Sequence, residues 1–434
     1  MKSLEQYGLN VPRILLPKDK NLSVWSVIAC DQYTQDEGYW ENVRKAVGSS
    51  ASTLDLILPE VYLSSPDREE RIRKIKADME RYLKSGVFDE PYEGLIYIER
   101  KTGYGRVRHG LIAAVDLEDY EWKPFSKALI RATEATIPSR IPPRKEIRDG
   151  APLESPHIML LVNDPDGKLV ENAGKKARSG APLYDGDLML NSGHITGWAV
   201  NDMDSVYDAL AELKKAGTAA DGSSFLFAVG DGNHSLATAK AVWDEYKERT
   251  GETDSPVRYA LVEIVNIYDT GLTFEPIHRV LFGADTEKLI STLAKSLDGT
   301  CVFCSTAEEL DKKVRGSKAD FGFVYKDASS AQKYACLETK ITDLAVSRLQ
   351  PELDSFIEAE NKNGADISMD YIHGSDEVFR LGAQDNAVAL LLPPVAKDSF
   401  FATINGRGPL PRKSFSMGEA SEKRFYLECR RLFG

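Results

Sequence analysis

Apolar and polar positions follow two different periods along this chain, and segments with the two periods alternate. Gly94–Arg100 is rich in bulky apolar residues and predicts a strand, which a turn at Thr102–Gly105 joins to a second strand over Arg106–Asp116. Arg68–Leu83 places apolar residues at helical spacing among many charges, which predicts an exposed amphipathic helix. His157–Asn163 predicts a short buried strand. We therefore expect an α/β or α+β fold with a mixed sheet.

The same alternation continues to the end of the chain. The further predicted elements are Val200–Ala216 (helix), Phe225–Val229 (strand), Leu236–Glu248 (helix), Tyr259–Tyr268 (strand), Thr286–Asp298 and Thr306–Arg315 (helices), Phe321–Tyr325 and Lys333–Leu337 (strands), and Thr342–Leu349, Pro351–Asn363 and Gly418–Leu432 (helices). A boundary after about Val280 divides the chain. Residues 1–280 are predicted to form a phosphate-binding core domain, and residues 281–434 a smaller C-terminal α+β portion with a terminal helix.

Charge and composition narrow the class of protein. The chain has 434 residues and a formal net charge of −12. A generic nucleic-acid binder needs the opposite sign, because it must neutralise phosphates, so we expect a small-molecule substrate and no nucleic acid. The longest apolar stretches, such as Ala387–Pro394, are far shorter than a membrane span, and Met1–Pro17 has no signal-peptide pattern. We therefore expect no membrane partner, and a homodimer remains open.

The five cysteines are scattered along the chain, and only Cys301 and Cys304 form a CxxC pair. No second CxxC and no His pair at zinc-finger spacing accompanies them. The favoured interpretation is therefore that both belong to an ordinary strand. Reduced cysteines are typical of the cytoplasm, which is the location that we expect.

The strongest chemical signal lies between Phe225 and Lys240, where an apolar strand runs into Gly230-Asp231-Gly232-Asn233-His234-Ser235 and then into a helix. Gly230 and Gly232 permit positive φ and close backbone approach. The first N–H groups of a helix lack internal partners and lie at the positive end of its dipole. Gly232, Asn233 and Ser235 are therefore predicted to bind phosphate. The alternative is a plain strand–helix turn with Asn233 or Ser235 as N-cap.

Two side chains of this segment are candidates for catalysis. Asp231 would repel phosphate. Its presence at an anion site is explained if it binds a metal ion or acts as a base towards a hydroxyl group. His234 would donate a hydrogen bond to a phosphate oxygen, with a structural histidine as the alternative. The chain has no Walker A sequence, and no GxGxxG that follows a strand with an acidic residue at the right distance. A nucleotide would therefore be bound without either of these loops.

A second constellation lies in Arg131–Arg148, which contains several basic residues around one early carboxylate, Glu134. Its prolines are expected to keep much of it from forming a regular helix. Because guanidinium groups bind oxyanions in bidentate geometry, Arg131, Arg140 and Arg144 are predicted to bind phosphate, with Glu134 as general base. The alternative is a solvated basic loop that pairs with an acidic surface.

Four segments resemble one known family, in the same order along the chain. Asp231–Ala239 (DGNHS-x-A-x-A) resembles the DGHHR-type box of the domain of unknown function 1015 family. Three further segments are similar to stretches of that family: Arg131–Thr136 (R-x-x-E-x-T), Pro276–Val280 (P-x-H-R-V) and Pro411–Ser414 (P-x-K-S). The chain departs from the box where the family usually has His-Arg, because Asn233 and His234 are followed by Ser235.

The resemblance implies a ParB/sulfiredoxin-like core over residues 1–280, an architecture that includes ADP-dependent free serine kinases. By analogy it implies phosphoryl transfer to a small hydroxyl compound such as free serine. In ParB-like architectures the early strands line the site, so Asp31 and Gln32 are candidates for substrate contact. Lys413 lies in a short basic segment that is either a lid over phosphate or a linker. His278 either contacts the site or hydrogen-bonds the backbone.

The leading hypothesis is therefore a small-molecule kinase that uses ADP, ATP or pyrophosphate as its phosphoryl donor. Glu134, Asp231 and His234 would be catalytic, and Asp231 would bind Mg²⁺ or assist the acceptor. Arg131, Arg140, Arg144 and Lys413 would neutralise charge in the transition state. The alternative is a non-catalytic regulator that binds a nucleotide or an amino acid. A ParB-like nuclease or DNA-binding module is a third hypothesis, which the negative charge disfavours.

Overall fold

The structure, a computed structural model, describes residues 2–433. In chain order its strands are β1 Leu9–Asn10, β2 Arg13–Ile14, β3 Tyr92–Glu93, β4 Ile96–Thr102, β5 Val107–Asp116, β6 Tyr120–Glu121, β7 Ile130–Ala132, β8 Leu153–Glu154, β9 Met159–Val162, β10 Pro182–Asp187, β11 Gly193–Ala199, β12 Phe227–Asp231, β13 Tyr259–Asn266, β14 Phe274–Phe282, β15 Thr300–Cys304, β16 Phe321–Lys326, β17 Gln332–Glu338, β18 Ser368–His373, β19 Ala387–Leu391, β20 Phe415–Met417 and β21 Arg430–Arg431. Its α-helices are α1 Leu22–Trp25, α2 Glu37–Val47, α3 Arg68–Lys84, α4 Ile141–Arg148, α5 Val170–Ala177, α6 Met203–Ala216, α7 Asn233–Thr250, α8 Thr286–Ser296, α9 Ala307–Arg315, α10 Ala345–Lys362, α11 Ser375–Gly382 and α12 Lys397–Arg407.

The chain folds into two compact units. The first contains the described residues up to Leu272 together with those from Glu419 onward, and the second is Thr273–Gly418. The sequence predicted a single division after residue 280, whereas the chain leaves the first unit at residue 272 and returns to it at residue 419. The last residues of the chain therefore contribute to the same unit as the first.

A large mixed sheet forms the centre of the first unit. Its strands run in the order β10-β11-β4-β5-β13-β9-β12-β7-β6, with β1 beside β5. The pairs β12–β7, β13–β9 and β6–β7 are parallel and the other pairs are antiparallel. The predicted α/β class with a mixed sheet is confirmed.

Strand periodicity sends alternate side chains of the central strands into two separate cores. In β5, Leu111 and Ala113 join one apolar cluster while Ile112 joins the other. Helices α5, α6 and α7 cover the first face, and α2 and α3 cover the second. Since both faces are buried, the central strands tolerate almost unbroken apolar runs.

Most predicted elements are confirmed with bounds that shift by a few residues, but the division of α10 is wrong. The sequence predicted two helices that meet near Pro351, and the structure has one helix through it. A proline inside a helix loses one backbone hydrogen bond. Leu349, Leu353 and Phe356 of this helix are buried in the core of the second unit, and their packing outweighs that loss.

The predicted terminal helix over Gly418–Leu432 is also wrong. The described residues form a 3₁₀ turn at Ala420–Glu422 and then an extended chain that ends in β21. Arg424 donates to the backbone oxygen of Ile158 at 3.1 Å and pairs with Glu428 at 3.0 Å. These charges lie inside the unit and need partners there, so tertiary ion pairs overrule the local helical pattern.

One buried carboxylate connects this returning segment to the sheet. Glu263 of β13 is fully buried, and its oxygens lie 2.9 Å from Arg108 Nε and 3.6 Å from Arg424 Nε. Arg108 also donates to the backbone oxygen of Glu422 at 2.9 Å. The ionic cluster thus joins β5, β13 and the C-terminal segment.

The second unit is built on a sheet with the order β15-β17-β16-β19-β14-β18 and with β20 beside β14. Cys301 packs against one apolar cluster of this unit, whereas Cys304 belongs to another. The interpretation of the CxxC pair as ordinary strand positions is confirmed, because residues three apart in β15 face opposite sides. None of the helices within residues 2–433 has both the length and the apolar composition that crossing a membrane requires.

Candidate functional site

The predicted strand–helix junction, Asp231–Ser235, lies where β12 ends and α7 begins. β12 is held between β9 and β7, so the sheet fixes the position of Asp231. Gly232 has φ +80, and a Cβ added there would lie 3.1 Å from the Ile158 side chain. All five residues of the junction are half-buried, so this end of α7 is reachable from solvent.

Helix α7 begins without a side-chain cap. Its N-cap position is Gly232, which has no side chain, and its first turn contains no acidic residue. The alternative with Asn233 or Ser235 as N-cap is therefore wrong. The helix has 18 residues, so its dipole is fully developed, and its first N–H groups lack partners within the helix. Such a helix start favours the binding of an anion.

Asn233 joins the helix start to the loop that follows β7. Its Oδ1 accepts a hydrogen bond from the Thr133 N–H at 3.1 Å, and its Nδ2 donates to Thr133 Oγ1 at 3.3 Å. Thr133 Oγ1 in turn donates to the backbone oxygen of Val229 at 2.5 Å. These bonds hold Thr133, the residue directly before Glu134, beside the junction; Glu134 itself is half-buried.

His234 is held as a neutral imidazole. Burial lowers its pKa to about 4, and the positive charges of Arg144 and Arg140 act in the same direction. Its Nε2 accepts a hydrogen bond from the Ile137 N–H at 3.3 Å. In a neutral ring with Nε2 as acceptor, Nδ1 carries the hydrogen and remains a donor.

Asp231 is paired with a lysine that the sequence did not single out. Its Oδ1 accepts from the Gly232 N–H at 3.0 Å, while Lys423 Nζ lies 3.3 Å from Oδ2. The two side chains are only 16% and 13% exposed. Oδ2 has no hydrogen bond of good geometry, so its contact with Lys423 is mainly ionic.

Ser235 begins a chain of polar contacts to two further residues that the sequence analysis did not propose as site residues. Ser235 Oγ lies 3.4 Å from His157 Nε2, and His157 Nδ1 lies 2.7 Å from the Tyr426 hydroxyl. Asp31 Oδ2 is 3.7 Å from the same Nε2. Burial opposes ionisation of Asp31, but His157, Gln32 and Lys423 hold its pKa below its ordinary value. The structure therefore brings Asp31 and Gln32, which donates to Asp31 at 3.0 Å, to the junction.

The basic segment lies on the same side as the junction, although its arginines separate. Residues 141–148 form helix α4, contrary to the expectation from the prolines, since prolines in a first turn lose no hydrogen bond. Arg144 pairs with Glu60 and donates to the backbone oxygen of Arg140 at 2.9 Å. Arg140 is exposed. The positive charges of both arginines act on His234, which places them near the junction.

Arg131 is not brought to the junction. Its Nε donates to the backbone oxygen of Ala128 at 2.8 Å, and its guanidinium lies 4.5 Å from the centre of the Phe225 ring. Ala128 and Phe225 precede the parallel strands β7 and β12, whereas Gly232 follows them. The guanidinium is therefore at the opposite end of the strands.

His278 and Lys413 belong to the second unit. Lys413 is exposed and has φ 56. His278 is 5% exposed, and its Nδ1 accepts a hydrogen bond from the Leu392 N–H at 3.0 Å. This bond ties β14 to the end of β19.

The burial of His278 predicts acid sensitivity of the second unit. Burial, together with Arg279, lowers the pKa of His278 from 6.5 to about 4. The unfolded chain therefore binds more protons between these values, and the free energy of unfolding falls as the pH drops from 6.5 to 4, by on the order of 1 to 3 kcal/mol. His278→Asn keeps an acceptor for Leu392 and should show a shallower fall in chemical unfolding. Equal pH slopes in both proteins would contradict this assignment.

Gly232 should not tolerate a side chain. Gly232→Ala forces a left-handed residue, at a cost of about 1 to 2 kcal/mol, and places Cβ 3.2 Å from the Ile158 backbone. Gly105→Ala is the matched control, because Gly105 has φ +78 but open space around its Cβ position. We expect Gly232→Ala to be the less stable variant in chemical unfolding. A larger loss in the control would exclude the contact with Ile158 as a cause.

The junction has a ligand for a cation that is bound jointly by protein and phosphate, but it does not have enough ligands to bind a cation by protein side chains alone. Within residues 2–433, no three His, Cys, Asp or Glu side chains converge on a metal position. Asp231 Oδ2 is a buried oxygen without a hydrogen bond. Mg²⁺ commonly binds one or two carboxylates together with the phosphates of its substrate, and Asp231 meets that requirement.

Solved structures with some similarity are remote in sequence. A conserved hypothetical protein from Pyrococcus furiosus has 11% identity and a TM-score of 0.34, over 71% of this chain and 90% of its own. A free serine kinase variant in complex with AMP has 9% identity and a TM-score of 0.39, over 74% and 91%. SbnI with a C-terminal truncation, from Staphylococcus aureus, has 10% identity and a TM-score of 0.33, over 71% and 83%.

No curated protein matches the chain in sequence. The sequence model of one family, the protein of unknown function DUF1015, matches residues 12–356. That range includes the junction, the segment 131–148 and both His157 and His278, and ends before Lys423 and Tyr426. The match spans most of the chain, and the protein therefore belongs to the DUF1015 family.

Proposed function

We propose that the protein is a phosphoryl-transfer enzyme that acts on a small hydroxyl metabolite, with free serine as the first acceptor to test. The observation that carries this proposal is the uncapped start of α7, which lies beside Asp231 and Lys423 on a half-exposed surface. In this proposal the first unit has a ParB/sulfiredoxin-like core. The protein works in the cytoplasm. ADP, ATP or pyrophosphate would be the donor.

The backbone would bind the transferred phosphate. The N–H groups of Asn233, His234 and Ser235 begin α7 and offer donors to its oxygens. His234 would add its Nδ1 hydrogen, and its low pKa keeps the ring neutral throughout the ordinary pH range. Fixed donors of this kind stabilise developing charge without reorganisation, which makes them effective in phosphoryl transfer.

Cationic side chains would neutralise the remaining charge. Lys423 and Arg144 are held by Asp231 and Glu60, and Arg140 is exposed nearby. Lys423 would turn from Asp231 to a phosphate oxygen when the anion binds. The carboxylate of Asp231 would then be available to the acceptor or to Mg²⁺, which would supply further charge neutralisation at the phosphate.

Three carboxylates are candidates for the base that takes the acceptor proton. Asp31 lies 3.7 Å from His157 Nε2, close to Ser235, and its lowered pKa keeps it ionised. Glu134 follows Thr133, which Asn233 binds directly. Asp231 lies at the junction itself. Variants of each in a single-turnover assay would assign the role, because only the true base changes the pH dependence of the chemical step.

The function is tested by turnover. Purified protein is incubated with free serine and related hydroxyl compounds, each with ADP, ATP or pyrophosphate, with and without Mg²⁺, and phosphorylated product is measured. Transfer from any donor supports the proposal. Thermal stabilisation by a nucleotide or amino acid without any product would instead support a non-catalytic regulator.

Lys423 provides a sharper test of the anion site. We expect Lys423→Met to weaken pyrophosphate binding about tenfold to a hundredfold, since a charge-assisted contact to phosphate contributes about 1.5 to 3 kcal/mol. Lys240→Met is the matched control: Lys240 lies on α7, the helix that begins at the junction, and pairs with Asp244 at 2.8 Å. Calorimetric titration measures both affinities. Equal weakening by the two variants would remove Lys423 from the site.

A further inference from the structure

A cavity of about 140 Å³ opens beside the junction, within the first unit. Ser235, His157 and Tyr426 border it on one side. Its remaining walls come from the 3₁₀ turn Thr53–Leu56 and the loop after it, from α3, and from α4 with the residues that follow it. They are mainly apolar and include Leu56, Leu58, Leu63, Met79, Ile147 and Leu153.

The charged side chains that reach this cavity are held in ion pairs. Arg144 pairs with Glu60, and Arg148 pairs with Glu154 at 2.6 Å. Each guanidinium thus has a carboxylate partner, although Glu154 also pairs with Arg430 at 2.6 Å. A desolvated and largely apolar space favours a neutral apolar group.

Two hydroxyl groups of the lining are engaged by the backbone, and a third is only weakly engaged. Ser155 Oγ donates to the backbone oxygen of Glu428 at 3.2 Å, and Thr238 Oγ1 donates to that of His234 at 2.7 Å. Ser235 Oγ and His157 Nε2 are 3.4 Å apart, a long and weak contact. A polar group of a ligand could therefore be accepted at Ser235, and Arg148 Nε and Glu154 Oε2 are the other lining atoms without a hydrogen bond.

We infer that this cavity receives the apolar body of the acceptor, and that the acceptor is a hydroxyl compound with a single aromatic ring or a branched aliphatic group. An apolar cavity of about 150 Å³ is known to accommodate a benzene ring, and the cavity here is about 140 Å³. A hydroxyl group at Ser235 would then lie at the first turn of α7, where the phosphate is proposed to bind. This inference rests on the proposed function, whose acceptor class it narrows.

A purine base fits this cavity less well. Its ring nitrogens and exocyclic group need several hydrogen-bond partners, and buried polar atoms without partners cost about 1 to 3 kcal/mol each. The lining offers weakly engaged or unbonded atoms at Ser235, His157, Arg148 and Glu154, and its volume of about 140 Å³ suits one ring better than two fused rings. The apolar end of the acceptor therefore suits the space better than the base of a nucleotide donor.

The test compares serine with β-phenylserine, which carries the same hydroxyl and amino acid groups and one added ring. Binding to the full-length protein is measured by calorimetric titration. Burial of the ring should make β-phenylserine bind about tenfold to a hundredfold more tightly than serine. Ile147→Trp fills the cavity from α4 and should remove most of this preference. Glu146→Trp, at the adjacent exposed position outside the lining, should retain it.

Pyrophosphate affinity of the same variants separates the two proposals. If Ile147→Trp loses the ring preference but keeps pyrophosphate affinity, the cavity assignment is supported and the anion site is intact. Equal affinities of serine and β-phenylserine in the native protein would overturn the inference, even if phosphoryl transfer occurs. Displacement of adenosine by β-phenylserine, with adenosine affinity lost in Ile147→Trp, would assign the cavity to a nucleobase instead. Absence of phosphoryl transfer with the ring preference retained would overturn the proposed function alone.

Discussion

Asp231→Asn should reduce phosphoryl transfer by about 10²- to 10⁴-fold, the range that a positioned acid–base group contributes. The amide has the size of the carboxylate and can still accept the Gly232 N–H, now 3.0 Å from Oδ1. It loses the charge that a metal ion or an acceptor proton requires. It also leaves Lys423 without its ionic partner, which lies 3.3 Å away in a poorly exposed position.

The variant must be shown to be folded before its activity is interpreted. We expect only a modest fall in its chemical unfolding midpoint, because the backbone bond at the junction is retained and Lys423 still lies near the carboxylate of Asp31. Asp244→Asn is a matched control on the exposed face of α7, where Asp244 pairs with Lys240, and it should retain full activity. Full turnover by a folded Asp231→Asn protein would remove Asp231 from catalysis and from metal binding.

Glu263→Gln should destabilise the first unit by about 3 to 5 kcal/mol, the cost of removing one partner from a buried ion pair. Glu263 is fully buried, and neutralising it leaves Arg108 without its carboxylate at 2.9 Å and leaves Arg424 with Glu428 as its remaining carboxylate partner. Chemical unfolding measures the loss. Glu80→Gln is the control, since Glu80 and its partner Lys84 are 58% and 77% exposed. Exposed pairs contribute about 0 to 1 kcal/mol.

The same variant should also weaken anion binding. Arg424 is adjacent to Lys423, and both are placed by the returning C-terminal segment that Glu263 anchors. Loosening this segment would move Lys423 from Asp231 and lower pyrophosphate affinity in the folded protein. A Glu263→Gln protein as stable as the Glu80→Gln control would show that the buried cluster is not what holds the segment.

Part of the site could be read from the sequence because it is local. The junction is formed by consecutive residues, so an apolar run, a glycine at 232 and a helical pattern were sufficient to predict it. Tyr426 and Lys423 could not be found in this way, because their charge and spacing suggested a helix. His157 begins the predicted strand His157–Asn163, and a histidine at the start of a buried strand carries no signal of what will pack against it.

Segment 131–148 was likewise predictable from the sequence only in part. The basic residues and the early carboxylate are visible in the sequence, but the direction of each side chain is not. Arg144 and Arg140 reach the vicinity of His234, while Arg131 points to Ala128 at the other end of β7. Neighbouring residues in a strand face opposite sides, and residues in a following helix face a third direction, so one cluster in sequence became separate groups in space.

By itself, the sequence determined the alternation of strands and helices, the mixed α/β class and the strand–glycine–helix junction, because these depend on interactions between near neighbours in the chain. Only the tertiary structure decided that the last residues return to the first unit, that Lys423 faces Asp231, and that His157 stands between Asp31, Ser235 and Tyr426. The physical reason is that buried charges and polar groups must find partners, and those partners come from segments hundreds of residues apart.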